Sequence, residues 1–143
     1  VSAAAGVAAL TLVKDTPVTD QASAAAAKIR DGLNEVITER GLRWAAYGSF
    51  SGFHLFLNPE QRDLNPANFD PTSLPFSELK ANPPGFVDKL RIAMMVNGVD
   101  ITGWPGGTVS SVHRDDDIDR TVEAFERSID ALQREGELSP WLA

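Results

Sequence analysis

The chain has 143 residues, with 13 basic and 20 acidic side chains, a formal net charge of −7, two histidines and no cysteine. That length suits one domain with a modest core, and the lack of cysteine excludes a disulfide scaffold, a thiolate metal site and a cysteine nucleophile. The acidic balance argues against a nucleic-acid footprint or an affinity for anionic membrane.

Residues 1–13 form an alanine-rich apolar run, with no basic region before it and no cleavage pattern after it, unlike a secretory signal. It is too short to span a bilayer, and its small residues suit a helix pressed closely against another surface. The pattern is already helical at the first residue, which reads as a chain that begins inside a longer protein. Asp15-Thr16-Pro17 is a stop and restart, with Thr16 expected to cap the second helix and Pro17 to take its first position. Ala22, Ala26, Ile29, Leu33, Val36 and Ile37 then recur at helical spacing, and Gly41 suits the left-handed position after the last turn.

Residues 42–50 and 53–57 are rich in aromatic and aliphatic side chains and flank Ser51-Gly52. Two antiparallel strands around a tight turn, or one long strand with a glycine bulge, fit equally. Residues 58–84 hold six of the nine prolines and no sustained period, which predicts an irregular surface loop. Phe86, Leu90, Ala93 and Met94 predict a helix over 86–97 that stops at Gly98. Residues 99–101 read as a short strand, 102–107 as a turn and 108–112 as strand again. Ile118, Val122, Phe125, Ile129 and Leu132 form the apolar stripe of a last helix closed by Gly136. No internal repeat appears, and the fold class expected is α+β: a short antiparallel sheet packed against helices, preceded by an alanine-rich connecting helix.

Asp115, Asp116 and Asp117 open the last helix. Consecutive helical residues point in different directions and cannot converge on one ion, whereas each carboxylate gains roughly 0.3–1 kcal/mol at the positive end of the helix dipole. No metal site is expected. His113 near Ser110 and Ser111 resembles a nucleophile–base pair only superficially, because no orienting carboxylate, oxyanion hole or nucleophile elbow accompanies it. His54 lies in an apolar strand and reads as a packed or edge histidine. Gly103-Trp104-Pro105-Gly106-Gly107 has neither the phosphate-loop ending nor the dinucleotide spacing. It is either a turn whose tryptophan covers a core edge or the wall of a ligand pocket.

Several segments, in order, resemble the C-terminal part of the class III aminotransferases, pyridoxal-phosphate enzymes that include the glutamate-1-semialdehyde aminomutases. Residues 1–10 are similar to the family's alanine-rich helix, and Gly48-Ser49-Phe50-Ser51-Gly52-Phe53-His54-Leu55-Phe56 to the Gly-Ser strand of its small domain. Leu90 to Val99 resembles the helix that ends in Gly-Val. Ser110 to Thr121 looks like the Ser-x-x-His-x-x-x-Asp-Ile-Asp-x-Thr signature.

The resemblance implies a cytoplasmic homodimeric enzyme of fold type I, in which residues 1–41 connect to a large cofactor domain and 42–143 form the small C-terminal domain. The Schiff-base lysine, the aspartate on the pyridine nitrogen and a partner-subunit threonine at the phosphate would all lie upstream. Lys14, Lys28, Lys80 and Lys89 do not match the family lysine, so no catalytic or cofactor-binding residue is expected here and the segment alone should not transaminate. The aminomutase glutamate before the Ser-x-x-His segment is replaced by Gly103-Trp104-Pro105-Gly106-Gly107. Trp104, Gly106 and Gly107 are therefore the expected substrate-pocket residues, suited to an amino acid with an apolar or aromatic side chain. The alternative is a non-catalytic α+β interaction module derived from such an enzyme, docking through its first helix.

Overall fold

In the computed structural model, which describes residues 2–139, two helices come first: α1 over Ser2–Asp15 and α2 over Val18–Glu39. α2 carries the fold, because the alanine and aliphatic positions picked out by their spacing are all buried on one face. α1 buries none of its residues. Thr16 does not cap α2 as expected. Its hydroxyl and its N–H both donate to the Leu12 carbonyl, so it completes the end of α1, and Pro17 becomes the N-cap with no side-chain hydrogen bond.

After α2 come β1 (Ala45–Tyr47) and β2 (Gly52–Phe56), an antiparallel pair in which Ala46 faces Leu55 and Tyr47 faces His54. Two strands joined by a turn are thus formed, rather than one bulged strand. They are shorter than the apolar runs that announce them, since 48–51 is spent on the connection, where Gly52 N donates to Ser49 O. β1 is an edge strand, and the amide of Asn34 on α2 takes both outward backbone groups of Ala46, at 2.7 and 2.9 Å. Arg30, one turn earlier, donates to Gly52 O at 2.7 Å and ties the hairpin to the same helix.

The proline-rich segment is more ordered than an irregular loop. It contains 3-10 turns at Pro66–Asn68 and Pro71–Ser73 and a single helical turn, α3, at Phe76–Leu79. The turns begin where Asn65 and Asp70 accept hydrogen bonds from the N–H two residues on, the local chemistry that favours Asn and Asp at such starts. Asn58 anchors the segment from a fully buried position, with its Nδ2 donating to Arg43 O and Arg62 O and its Oδ1 accepting from Arg62 N. Arg62 in turn pairs with Glu78 of α3. The segment is a strap anchored at its start by Asn58 and closed on itself by the Arg62–Glu78 pair.

α4 (Phe86–Val96) and α5 (Asp115–Arg134) complete the helices, and β3 (Gly106–Thr108) adds the third strand beside β2. No strand forms at 99–101, because Val99 N returns to Met94 O to finish α4 and Thr102 N bonds Gly106 O. Nor do 109–112 extend β3. Only Val109 N still reaches across, to Ser51 O, before Ser110–His113 turns into α5. The expected turn at 102–107 is shortened too, since Gly106 and Gly107 belong to β3. α2, α4 and α5 end alike, with Gly41, Gly98 and Gly136 at positive φ and the next residue donating back to the carbonyl five positions earlier.

The sheet has two different faces. Ala46, Phe53 and Leu55 join the core built by α2, α4 and α5, where Leu33, Leu90, Phe125 and Ile129 are almost wholly enclosed. Tyr47, His54 and Phe56 point the other way, under the strap, where Phe69 lies flat on Phe56 with ring centroids 5.1 Å apart. The expected α+β class, a short antiparallel sheet packed on helices, is the one observed.

Candidate functional site

The strap face of the sheet gathers a connected set of aromatic rings. Tyr47 and His54 are cross-strand partners with centroids 5.6 Å apart, and Tyr47 meets the edge of Phe69 at 5.6 Å. His54 is stacked against the indole of Trp104 at 4.7 Å and 25°. Lys80, immediately after α3, holds its ammonium 4.7 Å from the Trp104 ring centroid and 4.9 Å from that of Phe76. The order is cation, indole, imidazole, phenol: a shelf running from solvent into the strap.

Polar atoms on this shelf lack partners. Tyr47 OH, His54 Nδ1 and Trp104 Nε1 are buried and make no hydrogen bond within the described residues. Burial pushes the His54 imidazole below its ordinary value and the Tyr47 phenol above its own, since each charged form would lose water without gaining a counter-ion.

Gly106 makes the shelf possible. A Cβ there would stand 2.3 Å from the Phe53 carbonyl oxygen and 2.8 Å from His54 Nδ1, so only glycine lets β3 lie so close to β2. A Cβ on Gly107 would instead meet the Phe53 ring, at 2.8 Å, on the helix side of the sheet. The three expected pocket residues are therefore divided. Gly106 and Gly107 border a cavity of about 300 Å³ with Arg91, Asp100, Thr102 and Thr121, while Trp104 lies outside it, on the strap face. In that cavity Arg91 is committed to Asp100 through two bonds of 2.8 and 3.1 Å.

His113 is exposed, and its Nδ1 faces Ser110 Oγ and N at 3.0 and 3.1 Å, a local turn in which no carboxylate among the described residues hydrogen-bonds the ring. Asp115 pairs with Lys28 and Asp117 accepts from Arg114 N, which holds the Asp117 carboxyl below the usual carboxylate range. The triplet thus serves the start of α5, and no group of three metal-ligating side chains forms among the described residues. Lys89 pairs with Glu137, and Lys14 sits in the last turn of α1. In the sequence Lys80 stands out only as a lysine unlike the family's, and Phe76 not at all. Their spacing of four, beside the one tryptophan in the glycine-rich turn, is the only trace of them in the sequence.

No protein-family model matches the chain. Among solved structures, the chain resembles the FumI protein of Sphingopyxis sp. MTA144, determined in its PLP internal aldimine form, with a TM-score of 0.65 and 22% identity over 89% of this chain. It also resembles an omega-transaminase from Sphaerobacter thermophilus, with a TM-score of 0.60 and 24% identity over 80% of this chain. The chain spans only about a quarter of each, 26% and 24% of their lengths. At such identities the likeness establishes a shared fold. No helix among the described residues is long and apolar enough to cross a membrane.

Proposed function

We propose that this chain is the small C-terminal domain of a class III, pyridoxal-phosphate-dependent aminotransferase or aminomutase, and that it shapes and closes the substrate pocket of a cytoplasmic homodimer. The observation that supports this best is the likeness of most of the chain to about a quarter of two solved proteins, one in a PLP internal aldimine form and one an omega-transaminase. The resemblance of residues 48–56, 90–99 and 110–121 to the family's segments points the same way.

The residues of this chain do not by themselves fit pyridoxal phosphate. Lys28 and Lys89 are engaged in ion pairs, Lys80 lies over two rings, and Lys14 is on the exposed α1. Bound by residues beyond this chain, the cofactor would supply the electron sink for amino transfer. The part assigned to this chain is recognition and exclusion of water. Trp104, with Gly106 permitting its stack on His54, is the wall for an apolar or aromatic side chain.

In the purified protein that carries this chain, added pyridoxal phosphate should give the absorption band of an enzyme-bound cofactor, and an amino donor should discharge it. Trp104→Ala should then change the ratio of kcat/KM between aromatic and small aliphatic donors by about tenfold or more, with little change in Tm. A loss of stability with unchanged preference would assign Trp104 to packing alone. The second reading, a non-catalytic module, draws on α1, where Val7 and Leu10 are 66% and 71% exposed. Absence of the cofactor band would favour it.

A further inference from the structure

We infer that Lys80 is the anion-recognising residue of a subsite on the aromatic shelf, and that the ligand it selects carries a carboxylate on an apolar or aromatic frame. Three observations converge on it. The ammonium is positioned rather than free-swinging, with Trp104 and Phe76 rings at 4.7 and 4.9 Å. A cation at such distances from aromatic faces gains attraction that opposes its rotamer freedom.

The charge on Lys80 is also unanswered. Lys28 and Lys89 each hold a carboxylate at 2.6 Å, whereas Lys80 has no ion pair among the described residues, although acids outnumber bases in this chain. The nearest acid in sequence, Glu78, is engaged by Arg62 instead. The strap thus engages the acid nearest to Lys80 in the sequence.

The neighbouring polar demand has the matching sign. Trp104 Nε1 is a donor and nothing else, and it has no acceptor among the described residues. Phe76, 70% exposed beside it, offers an uncovered ring. A cation and a bare aromatic face are complementary to an oxyanion attached to a flat or apolar body, and the enclosed indole N–H beside them brings no competing acceptor.

This inference deepens the proposed function: the amino-group substrate would bear a second carboxylate, remote from the reacting amine. The probes are hydrocinnamate and its neutral amide, titrated calorimetrically into the purified protein that carries this chain. Wild type should bind the carboxylate about tenfold or more tightly than the amide. Lys80→Met, which keeps an apolar stem over the rings, should abolish that preference, and Lys80→Arg should keep it. Equal binding of the two probes by wild type, or an undiminished preference in Lys80→Met with an unchanged Tm, overturns the subsite. The cofactor band is read separately. Its absence with a Lys80-dependent preference leaves the subsite standing and removes the aminotransferase, and the reverse pattern does the opposite.

Discussion

His54 shows how one position joins packing to pH. Its ring is stacked on Trp104, its Nδ1 is enclosed without a partner among the described residues, and burial lowers its proton affinity. An unfolded chain takes up a proton at the ordinary histidine value of about 6.5, and the folded chain only at a lower pH. Below about pH 6.5 the unfolded state therefore binds more protons, and stability falls as pH falls. The contribution is complete above that pH and is lost in the window beneath it. Tm measured by circular dichroism should drop between about pH 7 and pH 5, and His54→Phe should flatten that slope. A slope unchanged in the variant would place the titrating group elsewhere. Sequence reasoning identifies His54 as a packed or edge histidine, but cannot see its partner: Trp104 lies fifty residues away, and stacking across such a separation leaves no local pattern.

The elements were legible in proportion to their periodicity. α2, α4 and α5 bury the faces their spacing announces, and the glycines after them take the positive φ that ends each helix. The strands were less legible, because three to five residues carry too few alternations to fix a boundary. β3 was the hardest. Two of its three residues are glycines, which read as turn signals and here mark a close approach of backbones instead. Gly106→Ala tests that account. The added methyl meets a carbonyl oxygen held in the sheet, so the variant should lose about 1–3 kcal/mol in denaturant unfolding. It should also perturb the amide resonances of β2 and β3 while sparing α5. The same change at Gly107 presses on a phenyl ring that can turn, and should cost less.

At the scale of the molecule, one core unites α2, α4, α5 and the inner face of the sheet, and α1 stands apart from it. The apolar run of α1 reads in sequence as a contact surface, and in the structure it is an uncovered helix, with Leu12 and Val13 also more than half exposed. Removal of residues 1–15 should therefore change the unfolding free energy by no more than about 0.5 kcal/mol, measured with a urea titration. A larger loss would mean that α1 contributes to the folded state through contacts beyond this core. The candidate site was less legible than the core, because its rings come from β1, β2, the strap and the turn before β3, which only the folded chain brings together.

The amide of Asn34 acts as a one-residue stand-in for a fourth strand beside β1. That side of the sheet offers no backbone pairing at Ala46, so it is closed to recruitment of another chain there. The opposite margin is partly taken as well, because Thr102 N donates to Gly106 O on the outer side of β3. An extended segment that joins the sheet on the glycine-bearing margin, next to the turn that holds Trp104, would thus have to displace Thr102 from Gly106 first.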